Sequence, residues 1–386
     1  MSMLSLMHGA HGAHGAHGAH GAHGAHGAHG AHGAHGAGSG EVVDLSGLQI
    51  STQAIIHAAG TAALLPTGVN GLALGAKTLM PRWAPNVREL LLQSIFGQKL
   101  NWTNQAATVN VSWAGADIWQ VSRPSQTTIT TQSGLVRTYI DQRPDRSAEI
   151  MSQLGGFGAY FGIILGLSGA RNIKTYELLD VVQGLAGFAA MLPKHMLACR
   201  RPDEIDARIL PLIGTPGHGS FPSAHASQAF AMATVLAALI QSVPGHFADT
   251  DKRVDLLYRQ AHRIAVNRTV AGVHFPMDSH AGALLGLQIG RALVGLMSGK
   301  TTLRPAEIYD PNTDAAADFI YKGFAATAID AVGTPQTDTA PDDLFGWFWT
   351  QAQAEFGGIV TAPPGPVREP GPVQETAVQA LNVAAV

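Results

Sequence analysis

The sequence is poor in cysteine and in charge. Cys199 is the only cysteine among 386 residues, so no intrachain disulfide is possible, and we expect this thiol to serve packing. Charged residues make up 13% of the chain, against about 25% in typical soluble domains. The formal net charge of −3 lacks the basic excess that nucleic-acid binding requires. The composition therefore excludes a disulfide-stapled fold and indicates no nucleic-acid partner.

A long, uninterrupted apolar run is also missing. Residues 150–170 carry no charge and are long enough to cross a bilayer, but they include Ser152, Gln153 and six glycines. The apolar runs that follow His225 and Pro276 are also interrupted by polar residues. The first seven residues lack the basic and apolar parts of a secretory signal. We therefore expect a soluble protein in preference to a membrane protein, with its compartment undetermined.

Residues 8–37 are ten repeats of His-Gly-Ala. Glycine at every third position disfavours both a helix and a packed core, so this tract is predicted to be disordered. Ten imidazoles could collect metal ions without fixed geometry. A repeat expansion or an artificial tag is the alternative interpretation.

Basic residues precede a proline in the stretch from Lys194 to Pro202, which reads KHMLACRRP. Lys194 and Arg201 are seven residues apart, so on one helix both side chains would project from the same face. Pro202 is expected to end that helix, because it lacks an N–H and constrains the preceding residue. Such a pair could bind separate oxygens of one anion, although a solvated basic face is the alternative.

A helix start is predicted in the stretch from Thr215 to His225, which reads TPGHGSFPSAH. The apolar run after it has the composition of a helix, which places Ser223 at the N-cap. Helix N-termini bind anions, so the Ser223 hydroxyl and the Ala224 N–H could donate to an oxyanion. His225 would face the same anion as a general acid or base. An ordinary capped helix with a nearby histidine is the alternative.

A third cluster, NRTVAGVHFPMD, ends at Asp278. Arg268 precedes a turn, and His274 lies just before a second helix that is predicted to start at Pro276. Asp278, four residues after His274, could bond one ring nitrogen and leave the other as a nucleophile or metal ligand. Alternatively, Asp278 only stabilises the start of its own helix.

Together the clusters K-x6-R-P, P-S-x-H and R-x5-H-x3-D resemble the signature of the type 2 phosphatidic acid phosphatase and vanadium haloperoxidase superfamily. Two positions depart from it: Ala224 stands where glycine is usual, and Asn267 where serine is common. Neither departure removes a catalytic group. The resemblance implies an all-α helical bundle of the acid phosphatase and vanadium haloperoxidase type, with the oxyanion site at helix ends.

The resemblance also implies a role for each motif residue. His225 would be the acid/base, and His274, paired with Asp278, would be the nucleophile of a phosphatase or the axial vanadium ligand of a haloperoxidase. Vanadate would be the cofactor of the haloperoxidase, whereas the phosphatase would need none. The oxyanion-binding donors would be Lys194, Arg201, Ser223, Ala224 and Arg268.

Phosphate and vanadate share shape and charge, so both activities fit these motifs. The loop before Ser223 resembles the haloperoxidase form. His218 stands where that branch has a residue lining the halide side, and a histidine there resembles the bromoperoxidases; a histidine of a surface loop is the alternative. We therefore predict a vanadium-dependent haloperoxidase that oxidises halide, preferably bromide, with hydrogen peroxide that Lys194 polarises. The alternatives are a soluble acid phosphatase that hydrolyses phosphomonoesters through a phosphohistidine, and a membrane lipid phosphatase. Metal buffering by the repeats is the non-enzymatic hypothesis.

The chain is predicted to divide into four segments, and a homo-oligomer is possible. A helix is predicted from Asn86 to Phe96 with Asn86 as its cap, short strands or turns from Ala106 to Thr131, and long helices from Ser147 to Leu167 and from Thr175 to Met191. An aromatic group from Phe345 to Trp349 is expected to pack on the core. The segments are the repeat tract (1–40), a helical or irregular segment (41–148), the core (149–300), and an extension with a flexible tail (301–386).

Overall fold

The computed structural model describes residues 52–57, 77–300, 303–329 and 340–357. The repeat tract and the tail after residue 357 lie outside these residues. The helices are α1 (Pro85–Gly97), α2 (Gln126–Thr138), α3 (Arg143–Ser152), α4 (Gly158–Leu165), α5 (Ile173–Leu197), α6 (Pro202–Ile205), α7 (Ala224–Gln241), α8 (Thr250–Val270), α9 (Pro276–Ser298), α10 (Tyr321–Phe324) and α11 (Asp343–Gly357). The mostly helical fold confirms the predicted class, with a small sheet added.

The centre of the bundle is the pair α7 and α9, which also contact α5 and α8. A glycine recurs every fourth residue along α9, at Gly282, Gly286 and Gly290. A methyl group added at Gly286 would lie 2.3 Å from the carbonyl oxygen of Ser227 on α7, and one at Gly282 would lie 2.3 Å from that of Ser223. These glycines therefore let the two backbones approach closely. The same approach holds the start of α7 against the start of α9.

The sheet comprises β1 (Leu100–Gln105), β2 (Thr108–Trp113), β3 (Ala116–Ser122) and β4 (Glu307–Tyr309), in that order. The first three strands are antiparallel, and β4 pairs with β3 in parallel. The indole N–H of Trp119 on β3 donates to the carbonyl of Ala281 on α9 at 3.1 Å. The region predicted to hold short strands or turns, Ala106 to Thr131, contains β2 and β3, but β1 lies before it and its last residues belong to α2. The sheet packs against the helix that carries Asp278.

Helix α11 covers α5 and α9. Phe345 and Phe348 are fully buried, which agrees with the packing predicted for the aromatic group. Glu355 accepts bonds from the N–H groups of Lys174 and Thr175 at 2.7 and 2.8 Å, so it caps the start of α5 from a distant part of the chain.

Two predicted helix boundaries are wrong. The helix expected from Ser147 to Leu167 is two helices, α3 and α4, because the chain leaves the helical path at Gln153 and passes Gly155 and Gly156 before α4 begins. Asn86 is not a cap: Ala84 precedes the helix, which begins with Pro85, and Pro is well suited to the first helical position.

The preference for a soluble protein is also wrong. It depended on the absence of a long, uninterrupted apolar run, yet α7 and α9 are each long and apolar enough to cross a bilayer. In the most apolar stretch of each helix, 83% of the residues of α7 and 89% of those of α9 are buried within the chain itself. The polar residues that interrupt these two helices are too few to take their hydropathy below that of a segment able to cross a membrane.

Candidate active site

Lys194 lies in the last turn of α5 and is 1% exposed. Its ammonium donates to the carbonyl oxygens of Gly219 and Ser220, both at 2.9 Å. Burial and the nearby Arg201 lower the pKa of Lys194 well below that of an exposed lysine. Gly219 is required at this contact, because a methyl group there would lie 2.8 Å from the Lys194 carbonyl oxygen.

Arg201 reaches the site by a route that differs from the predicted one. Helix α5 ends at Leu197, and Ala198 follows in the left-handed region with φ 48°. Arg201 is extended and precedes α6, so Pro202 starts a short helix instead of ending a long one. The two cations therefore do not share a helix face, but they lie together because the chain turns back at Ala198.

The guanidinium of Arg201 contacts both His218 and His274. Its Nη1 lies 2.9 Å from His274 Nε2 and donates to the carbonyl of Val273 at 2.8 Å, and its Nη2 lies 3.1 Å from His218 Nδ1. Burial lowers the pKa of Arg201 to about 10, so the group keeps its charge at neutral pH. The structure thus brings His218 into the same cluster as the motif cations.

Ser223 is the N-cap of α7, as predicted, and its hydroxyl oxygen accepts from the N–H of Ala226 at 3.3 Å. A hydroxyl that accepts one bond still has its proton to donate. The N–H of Ser223 donates to the carbonyl oxygen of Asp278 at 2.9 Å, which joins the starts of α7 and α9. Ala224 and His225 follow in the first turn, and His225 is half-buried with Nε2 at 3.3 Å from the carbonyl oxygen of Gln153.

His274 is held in one tautomer by its two neighbours. Nδ1 lies 2.9 Å from Asp278 Oδ2, the contact that the four-residue spacing predicted. Arg201 can only donate, so Nε2 must accept and Nδ1 must carry the proton that Asp278 accepts. Burial, followed by the charges of Arg201 and Lys194, holds the pKa of His274 well below 6.5. The side chain is therefore a neutral imidazole with its Nε2 lone pair among cations.

Arg268 lies near the end of α8 and is 1% exposed. Its Nη2 donates to the side-chain oxygen of Gln153 at 3.0 Å and to the carbonyl of Ile150 at 3.2 Å. Within the part of the chain that the structure describes, its Nε and Nη1 have no hydrogen-bond partner. Two buried donor nitrogens on a charged group are costly to leave unbonded, so they are suited to an anion.

Sequence reasoning missed two residues that organise this cluster. Ser220 donates to Asp278 Oδ2, the same oxygen that His274 contacts. Gln153 contacts Arg268 and lies beside His225, although it precedes the first cluster by about forty residues. A serine in a loop and a glutamine in an apolar stretch carry no pattern that indicates these contacts.

The comparisons with known proteins agree with these motifs. The family model described as PAP2 superfamily matches residues 178–301. Decaprenylphosphoryl-5-phosphoribose phosphatase of Mycobacterium tuberculosis, in strains CDC 1551 / Oshkosh and ATCC 25618 / H37Rv, is 30% identical over 146 residues, which are 37% of this chain and 75% of the relative. The chain therefore belongs to the PAP2 superfamily, and it is an enzyme of that superfamily.

A solved structure also resembles the chain. It is a transmembrane PAP2 type phosphatidylglycerolphosphate phosphatase from Bacillus subtilis, 18% identical, with a TM-score of 0.36 over 53% of this chain and 92% of the other.

The donor set suits a tetrahedral oxyanion. Two guanidinium groups, one ammonium and the first turn of α7 match the charge and the several oxygens of phosphate. Vanadate has the same shape and charge, so these residues would hold it equally well. The choice between substrate and cofactor therefore depends on the chemistry and not on the donors.

Proposed function

We propose that the protein is a phosphatase that hydrolyses phosphomonoesters through a phosphohistidine at His274. The observation that carries this proposal is the fixed tautomer of His274, because a neutral imidazole whose Nε2 carries no proton has a lone pair that can act as a nucleophile. The mycobacterial relative is named as a phosphatase, which supports the same reaction.

The residues have distinct proposed roles in the first step. His274 Nε2 attacks phosphorus while the bond to the ester oxygen breaks, and His225 gives its proton to that leaving oxygen. Asp278 stabilises the positive charge that develops on the imidazole of His274. The phosphoryl oxygens are stabilised by three cations and the start of α7: Lys194, Arg201, Arg268, Ser223 and the N–H of Ala224.

The second step returns the enzyme to its first state. His225 accepts a proton from a water molecule, whose oxygen attacks phosphorus as the bond to His274 Nε2 breaks. Inorganic phosphate leaves, and His274 is again neutral with its proton on Nδ1. No external cofactor takes part. By the name of the mycobacterial relative, a sugar phosphomonoester is the first natural substrate to test.

The predicted haloperoxidase activity, with vanadate, bromide and hydrogen peroxide, has no support in these comparisons. His218, which suggested it, contacts Arg201 at 3.1 Å and so belongs to the cation cluster. Its position is as compatible with orienting Arg201 in a phosphatase as with a halide-side role.

A paired assay on one purified, metal-stripped sample tests the proposal. One half receives an aryl phosphate with and without orthovanadate, and the other receives orthovanadate, hydrogen peroxide, bromide and a halogenation dye. We expect phosphate release that vanadate inhibits and no bromination. Bromination that requires vanadate, with no phosphate release, would overturn the proposal.

A further inference from the structure

Gln153 lies outside the three motifs but at the centre of their contacts. It is the first residue after α3, where the chain breaks before α4, and it is fully buried. A buried amide needs partners for its oxygen and its nitrogen, so its surroundings fix its orientation.

The amide oxygen of Gln153 faces the cation of α8. It accepts from Arg268 Nη2 at 3.0 Å and from Asn267 Nδ2 at 3.1 Å. The amide nitrogen donates to Glu149 Oε1 at 3.1 Å. The backbone carbonyl oxygen of the same residue lies 3.3 Å from His225 Nε2. One residue therefore contacts both the cation and the histidine proposed to act on the phosphoryl group.

The two charged groups that bond to this amide, Glu149 and Arg268, differ in their ion pairing. Glu149 forms an ion pair with Arg263 at 2.7 Å on the solvent side of the network. Among the residues that the structure describes, Arg268 forms no ion pair, and its only side-chain partner is the neutral amide. Gln153 thus stands between the carboxylate and Arg268 and bonds to both.

We propose that Gln153 is a positioning residue that fixes Arg268 for the oxyanion without neutralising its charge. This inference rests on the proposed function, since it takes Arg268 as an oxyanion donor. A carboxylate at this position would hold the guanidinium just as firmly, but it would compete with the phosphoryl oxygens for the same positive charge. The amide holds the guanidinium of Arg268 in place. It leaves the positive charge of that group, and its Nε and Nη1 donors, for the substrate.

Two substitutions of similar size separate this role from a structural one. Gln153→Glu keeps an acceptor for Arg268 but adds a charge, whereas Gln153→Met keeps the volume and removes the hydrogen bonds. If the amide only supported the fold, the glutamate variant would be the milder change. Our proposal predicts the reverse order for anion binding.

The readout is the Kd of orthovanadate by calorimetry in the full chain, with the melting temperature measured in parallel. We expect Gln153→Glu to weaken vanadate binding about tenfold or more, and to weaken it more than Gln153→Met does. The control is Gln183→Glu, at a buried glutamine of α5 beside Gly156, which should leave the Kd unchanged. A glutamate variant that binds vanadate like the parent, or better than the methionine variant, overturns the proposal.

Repulsion between carboxylates and misfolding could each also weaken vanadate binding in Gln153→Glu, and further variants test both. Adding Glu149→Gln to Gln153→Glu removes repulsion between adjacent carboxylates; recovery of the parent Kd would mean that this repulsion caused the loss, and would overturn the proposal. If Gln153→Glu does not fold, Gln153→Met must still weaken binding, and an unchanged Kd there also overturns it. Vanadate binding needs no turnover, so a chain that binds vanadate but releases no phosphate would count against the proposed function alone.

Discussion

Asp278 Oδ2 accepts from three donors: the ring N–H of His274, the hydroxyl of Ser220 and the N–H of Phe275. Asp278→Asn places a donor group among these donors and removes the charge that stabilises an imidazolium. We expect kcat to fall roughly 100-fold or more, with vanadate still bound. Ser220→Ala is the matched control, since it removes one donor but leaves the His274 contact, and should cost less than about tenfold. A steady-state assay that finds the asparagine variant within threefold of the parent would count against the orienting role.

The low pKa of His274 predicts the protonation state of its side chain near neutral pH. The nucleophile must be neutral, and its folded pKa lies well below 6.5 because of burial and the adjacent cations. The active form is therefore present at pH 6.5 and is lost only as pH falls through the lower folded pKa. A nitrogen-15 NMR titration, assigned by comparison with His274→Ala, should show the neutral form with its proton on Nδ1 at pH 6.5. A midpoint at or above 6.5 would contradict this account.

The residue types of the site could be predicted from the sequence, because the motif spacings fix their identities. The four-residue interval also placed Asp278 on His274. Gln153 could not be predicted, since its contact with Arg268 joins residues 115 positions apart and depends on where α3 ends.

The three glycines of α9 that face α7, Gly282, Gly286 and Gly290, set how closely these two helices approach. Gly286→Ala would place a methyl group 2.3 Å from the backbone oxygen of Ser227, and a backbone atom cannot rotate away. We expect the free energy of unfolding to fall by about 1–3 kcal/mol. Gly134→Ala on α2, where a methyl group meets nothing within 4 Å, is the matched control and should raise stability by up to about 1 kcal/mol.

Chemical unfolding of both alanine variants measures this difference. Equal changes in the free energy of unfolding of the two variants would show that the approach of α7 to α9 does not depend on the glycines of α9. The parent chain, unfolded under the same conditions, gives the reference value.

Helix existence was easier to predict than helix ends. The spacing of Lys194 and Arg201 suggested one continuous helix, but the left-handed turn at Ala198 ends α5 before Arg201. Alanine carries no local signal for that conformation; Ala198 is exposed, and its N–H donates to the carbonyl oxygen of Lys194 at 3.0 Å. The break between α3 and α4 was hidden for a similar reason, because the apolar composition continues through it.

At the scale of the whole molecule, segments beyond the matched family region support the core. Phe348 on α11 is fully buried. Phe348→Ala should lower the free energy of unfolding by about 3–5 kcal/mol, while kcat/KM below the melting temperature stays near that of the parent. Thr350→Ala, at an exposed position of the same helix, should change stability by less than about 0.5 kcal/mol. Similar melting temperatures for the two variants would mean that α11 does not stabilise the bundle.

The central claim is that His274 carries the phosphoryl group, and trapping that intermediate tests it most directly. Enzyme and a ³²P-labelled aryl phosphate are mixed and denatured in alkaline detergent, because phosphohistidine is labile in acid, and the labelled peptide is identified by mass spectrometry. The account predicts label on His274 and none in His274→Ala. It predicts more label in His225→Ala, because an aryl oxygen can leave without a proton from His225 whereas water attack is slowed. Steady phosphate release without a phosphoenzyme, or label on another residue, would contradict it.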